Sequence, residues 1–169
     1  MDFNLIAAMT PSGVIGQDDD IPWHIPEDLK HFKKVTTNGY VVMGNTTFKS
    51  LPYKALSSNR TFLVLSSTKR GSTIYDNARV IYFNDIESIL KYCEGLGNAS
   101  IYIAGGSKIY DLFIDYCNRA IITLIHNNEI VGNKFFPIDK LNQDFNIIYI
   151  DELKTSGNFK YNIFEYVRK

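Results

Sequence analysis

The sequence predicts an α/β fold. A single domain over residues 1–169 is expected, built on a mixed, mostly parallel sheet of about eight strands with helices on both faces and an antiparallel hairpin at the C-terminal end. Three observations carry this expectation. Short runs rich in β-branched and aromatic residues recur between turn signals. Helical patterns interleave with them, as the crossovers between parallel strands require. The final stretch abandons that alternation and reads as two strands around Ser156-Gly157-Asn158.

The elements follow in order. "FNLIAAM" (Phe3–Met9) is almost continuously apolar, the pattern of a strand buried on both faces. Ile21 and Ile25 each precede a proline, which pushes them to extended backbone. Pro26 then opens a helix, its φ already suited to a first helical position. Leu29, Phe32 and Val35 fall at helical spacing and define a buried face. Strands are expected at Tyr40–Gly44, Thr61–Ser66, Arg79–Phe83, Ser100–Gly105 and Arg119–Ile125, with helices at Ile86–Cys93 and Ser107–Ile114. Phe145–Asp151 and Phe159–Val167 form the closing pair at one sheet edge.

Composition narrows the function classes. Eighteen basic and eighteen acidic residues balance, so no overall field draws the chain to nucleic acid or an anionic membrane. Cys93 and Cys117 form no metal-ligand pattern and read as buried or free thiols, which suits a reducing compartment. "MDFNLIAAMTPSG" has no basic leader and too short an apolar run for a signal or a membrane span. A cytoplasmic protein with no metal site is expected.

Ligands of open α/β sheets sit beyond the carboxyl ends of the strands. Three such junctions here share a chemical bias. "VVMGNTTFKS" places Gly44, Asn45, Thr46 and Thr47 after a strand, and "LVLSSTKRG" places Ser66, Ser67, Thr68, Lys69 and Arg70 after another. "IYIAGGSKIY" places Gly105, Gly106, Ser107 and Lys108 between strand and helix. Backbone N–H groups, hydroxyls and cations at one sheet end suit phosphate. Each junction taken singly reads equally as a turn, and neither a Walker loop nor the GxGxxG spacing is present. Together the three point to a dinucleotide.

Asp28 poses the sharpest question. It precedes Phe32 by four residues and Val35 by seven, so it shares their apolar face, while Glu27 and Lys30 point away. It reads either as a first-turn acid complementing the helix dipole, or as a half-buried carboxylate beside a phenylalanine. The second arrangement raises a carboxyl pKa and suits a cationic or amidine-like heterocycle.

The ordered series "LIAAM", "GVIG", "IPWHIPEDLKHFK", "VVMGNTTFKSL", "LSS", "IYIAGGSKIY", "VGNKFFP" and "YNIFEY" resembles the dihydrofolate reductase family over nearly the whole chain. The resemblance implies hydride transfer from NADPH to 7,8-dihydrofolate, a monomer, and susceptibility to antifolate inhibitors. It implies that Asp28 is the single active-site carboxylate, with Thr123 bonded to it and Trp23 linked to it through water. It implies Leu29 and Phe32 packing on the substrate, and the carbonyls of Ile6 and Ala104 facing the pterin. Arg60 matches the arginine that pairs the glutamate tail, with Lys54 nearby. Ala8, Val14, Ile15, Gly16 and Ile21 match residues beside the nicotinamide, within a mobile lid whose Asp18–Asp20 is a solvated tip. The cofactor is then expected along Gly44, Asn45, Thr46, Thr47, Leu65, Ser66 and Ser67, and along Gly105, Gly106, Ser107, Lys108 and Ile109. Gly105 and Gly106 match a pair joined by a cis peptide.

Departures from the family pattern matter equally. Asn45 and Lys108 stand where arginines are usual, weakening bidentate phosphate recognition. Lys49, Lys69 and Arg70 are the nearby cations that offset this. "ALSSNRT" carries one more residue than is usual before Arg60, and Asn133 replaces an aspartate that holds the lid. Two other readings fit parts of the pattern: a riboflavin-pathway pyrimidine reductase of the same fold, and a pterin-binding protein without turnover.

Overall fold

A computed structural model of the chain describes residues 1–52, 59–75 and 78–169. In chain order the first elements are β1 (Asp2–Met9), β2 (Val14–Gly16), α1 (Pro26–Thr36), β3 (Tyr40–Gly44) and α2 (Asn45–Ser50). Next come β4 (Thr61–Leu65), β5 (Ser72–Tyr75), β6 (Ala78–Phe83), α3 (Ile86–Glu94), β7 (Ser100–Ile103) and α4 (Ser107–Phe113). A 3₁₀ turn at Ile114–Tyr116 leads to β8 (Arg119–Ile125), β9 (Lys134–Phe135) and α5 (Ile138–Asp144). The chain closes with β10 (Phe145–Ile150), β11 (Lys154–Ser156) and β12 (Phe159–Arg168).

The main sheet runs β10-β12-β8-β1-β7-β3-β4-β6-β5, with β11 also paired to β12. From β8 to β6 every pairing is parallel, and the antiparallel pairings lie at the two ends. All eight expected strands are present, and β5 and β11 are additional. The turn at Gly157-Asn158 joins β11 to β12, whose far half pairs with β10. The antiparallel pair expected at the C-terminal end is present, and its long strand also receives the short β11. A separate two-stranded sheet pairs β2 with β9.

The period-two alternation of the central strands assigns the helices to faces. Leu5, Val42, Leu63, Ile101 and Ile103 join the side chains of α3, α4 and α5 in one core. Val41, Met43, Phe62 and Val64 point the other way, toward Phe48 of α2 and Phe32 of α1. A smaller cluster of Ile25, Ile125 and Tyr161 holds Trp23 and Ala8 at the end of the sheet. Both thiols are buried within the first core, and neither is in a disulfide.

Helix α1 differs from expectation in one respect. Its apolar face is not core: Leu29, Phe32 and Val35 are only half-buried, and Thr36 is its buried residue. Leu29 and Phe32 front an open cleft, and a helix that leaves apolar side chains facing a cavity prepares a place for a ligand.

Candidate active site

The cleft crosses the carboxyl ends of the parallel strands and measures about 870 Å³, within the range of small-molecule sites. One end is built by α1 against β1 and β8. The N-cap residue of α1 is Ile25, extended at φ −127° and ψ 91°, and its carbonyl accepts from the Asp28 N–H at 3.0 Å. That turn carries Asp28 inward. Glu27 stays exposed and accepts at 2.6 Å from the Ser156 hydroxyl.

Thr123 is buried in β8, and its Oγ1 donates to Asp28 Oδ1 at 2.6 Å. Two influences act on that carboxyl. Burial pushes it above the usual aspartate range, while the threonine bond and the nearby His31 oppose the rise. The carboxyl thus sits in the first turn of α1, where an acid complements the helix dipole, and also lines the cleft. Ile6, on β1, also lines the cleft, and its carbonyl accepts from the Tyr110 hydroxyl at 2.7 Å.

The other end of the cleft gathers the glycine and hydroxyl junctions. Gly44 N–H donates to Gly105 O at 2.9 Å, and Ala104 N–H donates to Val42 O at 2.9 Å, locking two junctions together. Gly105 and Gly106 are joined by a cis peptide, as the resemblance implied. A Cβ on Gly105, at φ +97°, would stand 2.9 Å from the Tyr110 ring, and one on Gly106 would stand 3.2 Å from Thr47 Oγ1. Only bare backbone leaves this floor open. Ser66 Oγ accepts from the Lys69 N–H at 3.1 Å, which folds the turn and leaves Ser67 exposed at the rim. Ser107 Oγ accepts from the Phe135 N–H at 3.0 Å, tying α4 to β9.

These observations fit a dinucleotide. Asn45 Oδ1 is buried without a hydrogen-bond partner among the described residues, a polar atom that calls for one from a ligand. The glycine floor and the rim hydroxyls supply room and further partners for ribose and phosphate groups.

Most of the residues singled out from sequence meet in this cleft. Trp23, Asp28, Leu29, Phe32, Ile6, Ala8, Ala104 and Thr123 line it, as do Ile15, Gly16 and Ile21. So do Gly44, Asn45, Thr46, Thr47, Leu65, Ser66 and Ser67, and the run from Gly105 to Ile109. Two do not. Val14 is buried, its Cγ1 lying where a Cβ on Gly132 would fall, so its side chain turns away from the cleft. Arg60 lies behind the wall: its guanidinium sits 5.5 Å from the Phe32 ring centroid and 5.1 Å from that of Phe62, and Nη1 donates to Thr36 Oγ1 at 3.0 Å. Desolvation pulls its pKa down to about 10. Lys54 falls outside the described residues.

Sequence reasoning missed Tyr110, His31 and Asn84. Tyr110 and His31 carried a signal, each lying three residues beyond a chosen position on its helix, at Ser107 and Asp28. The segment around Asp18 is held more closely than expected. Gln17 and Asp20 exchange backbone bonds across a tight turn, and Asn133 clasps it. Asn133 Oδ1 accepts from the Asp18 N–H at 2.8 Å, and its Nδ2 donates to Asp18 Oδ1 at 2.9 Å. The amide is thus both acceptor and donor, a second role that an ionised aspartate could not fill.

Fold and site together define a small α/β protein with a dinucleotide-shaped floor and one half-buried carboxylate opposite it. The sequence model of the family described as dihydrofolate reductase matches residues 2–168. "Dihydrofolate reductase type 6" of Proteus mirabilis is 32% identical over 163 residues, covering 96% of this chain and 98% of that protein. The dihydrofolate reductase of Bacillus subtilis is 31% identical over 137 residues, 79% of this chain and 74% of that one. The solved structure of dihydrofolate reductase from Enterococcus faecalis, complexed with NADP(H) and RAB-propyl, superposes with a TM-score of 0.79 at 28% identity. That match covers 99% of this chain and 96% of the other. The chain belongs to the dihydrofolate reductase family.

Proposed function

We propose that this chain catalyses the NADPH-dependent reduction of 7,8-dihydrofolate to 5,6,7,8-tetrahydrofolate, supporting one-carbon metabolism and thymidylate and purine synthesis. One observation carries the reading: the Thr123–Asp28 bond at 2.6 Å sets an acceptor carboxylate in one end of a cleft whose other end is a glycine and hydroxyl floor. When bound, NADPH supplies the hydride.

The protein's own residues bind, orient and exclude water. Asp28 accepts paired N–H groups of the pterin, a bidentate geometry that only a carboxylate offers there. Thr123 fixes one of its oxygens, and Trp23 closes the site beside it. Leu29 and Phe32 pack on the flat body of the substrate. The Ile6 and Ala104 carbonyls complete the polar edge. Ala8, Ile15, Gly16 and Ile21 wall the nicotinamide end, and Asn45, Thr46, Thr47, Ser66, Ser67, Ser107 and Lys108 take the ribose and phosphate groups. The chain acts as one domain over residues 1–169, as a cytoplasmic monomer, and takes antifolate inhibitors in the same cleft. Among the described residues no helix is long and apolar enough to cross a membrane.

The test is loss of NADPH absorbance with dihydrofolate, run beside NADH and beside a ribosylamino-pyrimidine substrate. Turnover with dihydrofolate and NADPH is the expected result. Oxidation driven only by the pyrimidine identifies the riboflavin-pathway reaction instead. Methotrexate binding with no turnover identifies a binder.

A further inference from the structure

Helix α1 opens without a side-chain cap. Its N-cap residue is Ile25, which makes no side-chain bond to the first turn. A Ser, Thr, Asp or Asn there would ordinarily hold that turn. Yet this turn carries Asp28, whose direction decides what one end of the cleft can bind. The hold comes from outside the helix. Ile25 packs with Ile125 of β8 and Tyr161 of β12. Two hydroxyls then reach neighbouring residues of the turn. Thr123 Oγ1 donates to Asp28 Oδ1 at 2.6 Å, and Ser156 Oγ donates to Glu27 Oε2 at 2.6 Å.

Neighbouring residues on a helix project about 100° apart, so the two bonds restrain different sides of the turn. Their donors share one frame. β8, which carries Thr123, and β11, which ends at Ser156, both pair with β12. Thr123 lies opposite Ile163 on that strand and Ser156 lies opposite Phe159. The sheet thus offers α1 two hydroxyls, one on each flank of β12. Ser156 is buried although Glu27 is exposed, so the donor cannot follow the acid into solvent. An ionised glutamate makes this a charge-assisted bond, the stronger kind.

We infer that Ser156 and Glu27 are positioning residues for substrate binding: their bond fixes the outer side of the turn whose inner side presents Asp28 to the cleft. The inference rests on the reading of Asp28 as the substrate-binding carboxylate. It assigns a task to β11, a three-residue strand whose last residue is the donor.

Trp23, the chain's one tryptophan, lines the cleft, so its fluorescence reads dihydrofolate binding without turnover. Ser156→Ala and Glu27→Ala should each raise Kd and KM for dihydrofolate roughly three- to tenfold, the equivalent of one typical hydrogen bond. The kcat value should change by less than about twofold, because binding and not chemistry is weakened. Glu27→Gln keeps an acceptor and should recover most of the affinity. Amide exchange at Asp28, whose N–H donates to Ile25 O at 3.0 Å, should quicken in Ser156→Ala. In a Thr123→Val background the loss from Ser156→Ala should shrink, since both bonds act on one carboxyl. An unchanged Kd in Ser156→Ala overturns the proposal, even where the variant melts lower, because the bond then only stabilises. A Glu27→Gln variant as weak as Glu27→Ala overturns it too, as do losses at Ser156 and Thr123 that simply multiply. If Ser156→Ala does not fold, the two Glu27 variants decide alone. A wild type that neither binds nor reduces dihydrofolate refutes the functional reading instead, and quickened Asp28 exchange in Ser156→Ala then still supports the restraint on the turn.

Discussion

Thr123 Oγ1 and Asp28 Oδ1 meet at 2.6 Å across 95 residues of sequence, joining β8 to the first turn of α1. The bond holds the carboxyl below the value burial alone would give it. Thr123→Val keeps the shape and removes the donor. Hydrogen bonds to charged groups contribute about 1.5–3 kcal/mol, so kcat/KM for dihydrofolate at neutral pH should fall roughly ten- to a hundredfold. The midpoint of its pH profile should move upward. Steady-state kinetics across pH provide the check, and an unmoved profile would dismiss the role of the bond.

Asp28→Asn should separate stability from activity. The Asp28 carboxyl is raised in the folded state, so the folded protein binds this proton more tightly than the unfolded chain. Its contribution to stability is therefore lost as pH rises from the unfolded value through the folded one. The neutral amide escapes that loss and can still accept from Thr123. The variant should melt higher than wild type at pH 7, with the difference vanishing in acid, while turnover falls by on the order of 10²-fold or more. Calorimetry at pH 4 and pH 7 reads the first effect.

Gly105→Ala should damage both fold and site. It puts a side chain at φ +97°, and the new Cβ meets the Tyr110 ring at 2.9 Å. The backbone conformation alone costs roughly 1–3 kcal/mol. Displacing Tyr110 also frees the Ile6 carbonyl that its hydroxyl holds. Urea denaturation should show the loss of stability, and KM for the substrate should rise with it.

Asn133→Asp restores the residue usual in the family and should here loosen the lid. The Asp18 N–H keeps its acceptor, but the bond from Nδ2 to Asp18 Oδ1 is replaced by facing like charges. Exposed pairs are worth little, so KM for NADPH should rise only roughly two- to fivefold, and less at high salt. Hydrogen exchange at the Asp18 amide should quicken. Asp18→Asn in the same chain should restore the clasp.

The parts of this molecule that sequence revealed are those where a local pattern and its tertiary setting agree. Continuous apolar runs marked β1, β3, β4, β7 and β8, because strands covered by helices on both faces have no polar side to show. Pro26 and the spacing from Leu29 to Val35 marked α1. The short elements escaped. β2, β9 and β11 have two or three residues each and exist through pairing with distant partners, which no local window contains. α5 showed its start in Pro137 and its buried Leu141, but seven residues carry too few turns for periodicity to speak. Within the site, the residues with a chemical signature were legible. Support residues such as Tyr110, whose hydroxyl holds another residue's carbonyl, showed only their helical spacing from a chosen position.

The half-open apolar face of α1 has a consequence for how this chain changes under selection. Leu29, Phe32 and Asp28 front the cleft half-buried, so packing alone constrains them less than it constrains the fully buried core. A library of variants sorted for solubility or heat tolerance alone should drift first at these positions, toward side chains that close the cleft over itself. Sorted for growth, the same library should hold them fixed and tolerate change beneath, in the core. The wall of the cleft thus records what the protein is kept for, and the two sorting regimes side by side would read that record directly.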